Sequence, residues 1–276
     1  MIIMPKVAIQ GEKQSFHDIA AHKWYDKEPV DILPLQTFRE VFCSLSNQEA
    51  DVGVIAIENS LYGSINEVYD LIEKYRYPII GEIHLAVHQQ LIGLKNSKLD
   101  TITKVYSHPV ALAQCEAWLD EHLPADVERI EYHDTAAAAE HISLQKDTFS
   151  VAIASRQAAD LYRLDILAKN IEDNPSNFTN FLIIQPNALP PADADRSMIV
   201  ITTNHVPGAL AKVLTVFANL SINLAKLQSR PIIGEPWRYR FYLVLETAGK
   251  DLSGALDAIK DLTTSIVVLG EYRHNL

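Results

Sequence analysis

Cysteine is scarce in this chain, with only Cys43 and Cys115 among 276 residues. Both fall inside apolar helical patterns without metal-type spacing, which excludes a disulfide scaffold and suggests reduced, buried thiols in a cytoplasmic protein. Long apolar runs are missing as well, since none approaches the roughly 20 residues needed to span a bilayer. The start, Met1-Ile2-Ile3-Met4-Pro5-Lys6, lacks a basic region, a long apolar stretch and a small-residue cleavage site, so no secretory leader is expected. Basic charge is in deficit, with 24 Lys and Arg against 35 Asp and Glu, a net −11. That disfavours nucleic acid and anionic membrane as partners. An anionic substrate would have to be held by local donors against this field. Neither a Walker loop, a G-x-G-x-x-G run nor a G-x-S-x-G elbow is present. No metal is expected: His84 and His88 have zinc-like spacing but lie in an extended-looking stretch, without a third ligand at a motif-like position.

What is present is an ordinary globular balance, 48% hydrophobic and 21% charged, in a chain long enough for two domains. The first two-thirds alternates apolar strands with helical patterns, the signature of an α/β fold. Strands are expected at 6–10, 30–35, 52–57, 79–83, 105–107, 127–132, 151–154 and 181–185, with helices at 16–25, 38–45, 65–75, 110–122, 136–144 and 156–162. Over Gly81–Leu94 two extended runs follow each other without a helix, which reads as a crossover between two α/β lobes. The segment Pro186–Asp195 is rich in Pro and Ala and reads as an interdomain linker. Beyond it, strands at 198–203, 223–229, 239–247 and 266–272 and helices at 209–220 and 252–262 give the order βαββαβ, a ferredoxin-like sandwich.

Ligands of open α/β lobes bind beyond the carboxyl ends of strands, beside helix N-termini. Glu58-Asn59-Ser60 with Gly63-Ser64, Ser107-His108-Pro109, Asp134-Thr135 and Ser155 all stand at such junctions. Any one of them is adequately explained as a helix cap. Together they point to an anion-binding cleft without naming the anion.

The ordered blocks carry more. "VIAIENSLYGSINEVYDLI" from Val54, "SHPVALAQC" from Ser107, "DTAAAAE" and the run into Thr179-Asn180-Phe181 resemble the motif series of prephenate dehydratases. "PGALAKVL" and "QSRP" are similar to the motifs of the ACT domain fused to those enzymes. The resemblance implies a two-lobed catalytic domain (periplasmic-binding-protein-like, type II) over 4–186, a linker over 187–196 and an ACT regulatory domain over 197–276. It implies a cofactor-free enzyme that converts prephenate to phenylpyruvate, with no helical mutase domain in front. Thr179 would be the catalytic hydroxyl donor. Ser15, Asn59, Ser60, Gly63, Ser107, Gln114, Thr135, Asn180 and Phe181 would bind substrate. L-phenylalanine would be the effector, held by Gly208, Ala209, Leu210, Asn223, Ser229 and Arg230 in a homo-oligomer, dimer or dimer of dimers.

Three departures stand out. Asn180 occupies the place of the motif's arginine, and a neutral amide cannot grip a carboxylate as a guanidinium does. Gln14 occupies the place of a glycine, where positive φ or close backbone approach is expected. Gln228 replaces a glutamate in the ACT motif. An arogenate dehydratase, which the same site could serve, remains an alternative. So does an amino-acid-sensing homologue impaired at Asn180. A solute receptor of periplasmic type shares the bilobal architecture but would need export.

Overall fold

The computed structural model describes residues 4–26 and 28–275; Met1–Ile3, in the stretch read for a leader, and Leu276, the end of the expected second domain, lie outside the described residues. The chain opens with β1 (Lys6–Gln10), α1 (Phe16–Trp24), β2 (Asp31–Leu35), α2 (Phe38–Ser46), β3 (Val52–Asn59), β4 (Gly63–Ser64), α3 (Asn66–Tyr75), β5 (Ile79–Ala86) and β6 (Gln90–Gly93). It continues with β7 (Lys104–Ser107), α4 (Pro109–Gln114), α5 (Glu116–His122), β8 (Glu128–Glu131), α6 (Thr135–Gln145), β9 (Ser150–Ala154), α7 (Arg156–Tyr162), β10 (Asp165–Ala168) and β11 (Phe178–Ile184). It ends with β12 (Arg196–Thr203), α8 (Ala209–Asn219), β13 (Leu224–Pro231), β14 (Tyr239–Leu245), α9 (Gly249–Ile259) and β15 (Thr263–Asn275). Two compact units result. One runs to Val68 and resumes over His84–Phe181; the other comprises Tyr69–Ile83 and Leu182 onward.

The first unit has two lobes. In one, β11, β3, β1 and β2 lie side by side, with β1 parallel to both β2 and β3. β3 is buried without interruption over Val52–Ile57, as a central strand covered on both faces must be. The other lobe is a five-stranded sheet in the order β10, β6, β9, β7, β8. Its strands divide their side chains between two cores by the alternation of the pleat. Leu91, Val105, Val151 and Ile153 pack with α4 and α5, while Ile92, Tyr106, Ala152 and Ala154 pack with the small residues of α6 and α7.

The single helix expected over 110–122 is broken into α4 and α5 at Cys115, which has φ −118° and ψ 14°. The cause is remote in sequence. The Asp173 carboxylate accepts from Ala117 N at 3.0 Å and Trp118 N at 2.9 Å, starting α5 afresh.

In the second unit β13, β14, β12, β15 and β5 form one sheet. Helices α8 and α9 cover one face over a core that includes Ile199, Ile201, Val213, Phe217, Leu243 and Ile259. The expected βαββαβ order is therefore present, with β5 added in parallel beside β15. The opposite face receives the end of α3, where Tyr69 packs edge-on against Tyr242 at 5.0 Å. Arg230 pairs with Asp70 at 2.6 Å, and Glu73 takes both Arg240 and the Tyr242 hydroxyl. Gly270 lets β15 approach β5 closely, since a Cβ there would lie 2.5 Å from the Ile79 carbonyl oxygen.

Candidate active site

A cavity of about 390 Å³ lies within the first unit, between its lobes, at the ends of β3, β11 and β1 and the starts of α1, α4 and α6. Ser15, Asn59, Gly63, Gln114, Thr135, Thr179 and Phe181, all expected from the sequence, line it.

Three expected residues do not line it. Ser60 is used structurally: its Oγ donates to the Ser176 carbonyl at 2.9 Å and accepts from Phe178 N at 2.9 Å. Ser107 is fully buried and donates to the Ile153 carbonyl at 2.7 Å. Asn180 sits between Thr179 and Phe181 on β11, and successive residues of a strand face opposite sides. With Thr179 and Phe181 on the cavity, Asn180 points away, and its buried Oδ1 has no hydrogen-bond partner among the described residues.

Thr179 is held by an amide network. Asn59 Oδ1 accepts from the backbone N–H groups of Leu61 and Tyr62, both at 3.0 Å. Backbone N–H groups can only donate, so the other end of the Asn59 amide must be its donor. That Nδ2 reaches Asn177 Oδ1 at 2.7 Å, and Thr179 Oγ1 and the Phe178 carbonyl both at 3.1 Å. Since Thr179 Oγ1 accepts this bond, its own O–H remains to be donated.

Three histidines, His17, His108 and His133, line the cavity, and only His108 stood at a junction noted in the sequence. His17 Nε2 accepts from Ala56 N at 3.2 Å, and the ring stands edge-on to Phe181 at 5.0 Å. Burial pulls its pKa from 6.5 down to about 3, so it is neutral with its proton on Nδ1. His108 caps α4 by accepting from Val110 N at 3.2 Å through Nδ1. Desolvation lowers its pKa too, against the raising effect of Asp134 and Glu131. Asp134 itself caps α6 through bonds from Ala136 N and Ala137 N at 2.7 and 3.0 Å, and burial raises its pKa against those bonds. The lobes come close here: a Cβ on Gly11, whose φ is +93°, would lie 2.6 Å from Asp134 Oδ2.

Gln14, where a glycine was expected, takes the positive φ that glycine would, at 66°. Its N–H donates to Asp18 Oδ2 at 2.5 Å, and its carbonyl accepts from Ser155 Oγ at 2.9 Å. Ser155, proposed from the sequence only as a helix-start hydroxyl, thus joins the lobes and caps α7. Gln89 was also missed. It is buried on the cavity wall and its Oε1 has no partner among the described residues, as is true of Ser15 Oγ.

No Lys or Arg is among the described lining residues. The site therefore offers neutral donors, helix N-termini and aromatic walls, suited to an organic anion with an apolar ring. Among the described residues no nucleophile is assembled with its base: the Ser15 hydroxyl has no partner there, and burial pushes the Cys115 thiol far above its usual range.

In the second unit a cavity of about 610 Å³ is lined by Gly208, Ala209 and Leu210 together with Pro207, Tyr239 and Phe241. Gly208 turns into α8 with φ +77°. Asn223, Ser229 and Arg230 are absent from that lining. Asn223 donates to Glu246 at 2.9 Å, and Arg230 is engaged by Asp70.

Residues 7–188 match the family model described as Prephenate dehydratase, and residues 197–264 match that of the ACT domain. A bifunctional chorismate mutase/prephenate dehydratase of Aquifex aeolicus is 38% identical over 97% of this chain and 73% of its own length. Among solved structures, a prephenate dehydratase from Arthrobacter aurescens in complex with L-Phe superposes with TM-score 0.87 at 27% identity, covering 97% of this chain and 89% of that one. A protein described as a novel type of quorum-quenching acylase superposes with TM-score 0.86 at 29% identity, covering 98% of both chains.

Proposed function

The chain belongs to the prephenate dehydratase family, and on that premise we propose that it converts prephenate to phenylpyruvate under feedback control by phenylalanine. The catalytic domain spans 4–186 and is joined by 187–196 to a regulatory domain over 197–276. The reaction breaks the bond to the ring carboxylate, releasing carbon dioxide. The electron pair enters the ring and expels the ring hydroxyl, which leaves as water once protonated. Aromatisation supplies the driving force.

One observation carries the reading. The Thr179 oxygen accepts from Asn59, which leaves its O–H to be donated to the departing oxygen in the cavity. A threonine hydroxyl is a weak acid, so it acts as hydrogen-bond donor and relay, with the proton drawn from solvent. Preorganised donors of this kind contribute about 10²–10³ in rate. The N-terminus of α1, which has no side-chain cap, and the cavity-facing amides would hold the two carboxylates.

A second reading, arogenate as substrate, is favoured by Gln89. Its buried Oε1 has no partner among the described residues and would accept from the ammonium that arogenate carries in place of a keto oxygen. The acylase description of one structural neighbour remains with that protein, because Ser15 lacks a base to activate it.

In the regulatory domain the Gly208–Leu210 cavity would take the effector, with Arg230 available to a carboxylate only in exchange for Asp70. Homo-oligomers, as dimer or dimer of dimers, and a cytoplasmic location belong to the same reading. The test is product identity with purified protein. Phenylpyruvate from prephenate supports the first reading, and phenylalanine from arogenate alone supports the second. Neither product would refute both.

A further inference from the structure

The residue that organises the cavity's amides was not among the expected ones. Asn177 immediately precedes β11, two positions before Thr179, and it is fully buried. Its backbone carbonyl accepts from Val87 N at 2.8 Å, tying together the two stretches that cross between the lobes. Its side chain touches both lobes. Oδ1 accepts from Asn59 Nδ2 at 2.7 Å, at the end of β3, and Nδ2 donates to Gln114 Oε1 at 2.9 Å, on α4.

The direction of every bond in this chain is forced from one end. Leu61 N and Tyr62 N hold Asn59 Oδ1, so Asn59 presents Nδ2 to Asn177. Asn177 must then meet it with oxygen, which turns its own NH₂ towards Gln114. Gln114 must meet that NH₂ with Oε1, leaving its Nε2 as the donor for the cavity that it lines. A fixed polarity thus passes from the backbone at residues 61–62 to a donor in the opposite lobe. The Asn59 amide that bonds to Thr179 Oγ1 belongs to the same chain.

We infer that Asn177 is a positioning residue for the dehydration. It takes up one N–H of the Asn59 amide that bonds to Thr179 Oγ1 and fixes Gln114 as a hydrogen-bond donor to the substrate anion, so that both lobes present correctly oriented groups. The inference rests on the proposed function and deepens it. Asn177 itself touches neither the substrate nor the reacting atoms.

Two variants separate its halves. Asn177→Ala removes the nearest of the three acceptors around Asn59 Nδ2, loosening its bond to Thr179 Oγ1, and kcat is expected to fall about tenfold or more with a smaller change in KM. Asn177→Asp keeps an acceptor for Asn59 but offers Gln114 a second oxygen. The Gln114 amide then rotates its NH₂ inwards and its oxygen towards the substrate carboxylates, so KM is expected to rise about tenfold. In a Thr179→Val background the kcat effect of Asn177→Ala should largely vanish, because the hydroxyl it positions is gone. A purely structural residue would cost the same in both backgrounds. Parent-like kinetics in both folded variants, or full additivity with Thr179→Val, overturns the inference. Should Asn177→Ala not fold, the near-isosteric Asn177→Asp still reads out through KM. A parent that turns over neither prephenate nor arogenate overturns the functional reading, and the inference with it.

Discussion

At the residue scale, the two substitutions at motif positions have different physical meanings. Gln14 accepts a left-handed backbone at φ 66° because its N–H and carbonyl are both bonded, to Asp18 and Ser155. Asn180 stands on the face of β11 turned from the cavity. Its loss of charge relative to an arginine therefore falls outside the substrate's reach. Asn180→Arg is expected to leave kcat/KM within about threefold of the parent, because a bond to a charged group worth about 1.5–3 kcal/mol is not being restored. A gain of a hundredfold in steady-state kinetics would show that position 180 reaches the substrate.

His17 makes the pH behaviour of the fold testable. Its pKa is about 3 when native and 6.5 ordinarily, so between those values the unfolded chain binds the extra proton. Its contribution to stability is present above about pH 6.5 and is lost as pH falls towards 3. His17→Gln should show a shallower loss of denaturation midpoint across this window than the parent. Parallel curves would contradict a buried neutral imidazole.

At the element scale, most of the framework was legible. β1 and α7 begin and end where the sequence pattern puts them, because alternation, helical period and capping residues all agree there. The break between α4 and α5 was not legible, since its cause, Asp173, is 56 residues from Ala117. The short β10 was hidden because four residues carry too little pattern to separate strand from loop. The same limit hid Asn177: within Asn174-Pro175-Ser176-Asn177 it reads as a loop residue, and only the fold brings Gln114 and Asn59 to it. His17 and Gln89 lacked any pairing signal in sequence for the same reason.

Elements of the second unit are fastened by charge. Glu82 on β5 is buried against Arg196 of β12 and His274 of β15. Glu82→Ala would leave a nearly buried guanidinium with only Glu246, 3.4 Å away. The expected cost is roughly 3–5 kcal/mol, measured by denaturant unfolding of the full chain. A loss below about 1 kcal/mol would mean that the pair is solvated.

At the scale of the whole molecule, a chain of net charge −11 is proposed to bind a dianion in a cavity whose described lining has no Lys or Arg. The long-range field opposes the substrate, and only short-range donors attract it. Screening should therefore help: KM for prephenate is expected to fall as salt rises from low ionic strength to about 0.15 M, where the Debye length is about 8 Å. A KM that rises steeply with salt would reveal a cationic group acting on the substrate.

The central claim is that the hydroxyl of Thr179, and not merely its bulk, drives the elimination. The most direct test compares phenylpyruvate formation from prephenate by the parent, Thr179→Ser and Thr179→Val. The expected result is parent turnover, substantial activity in Thr179→Ser, and a fall of about 10²–10³ in kcat in Thr179→Val. Equal turnover by Thr179→Val and the parent would contradict it.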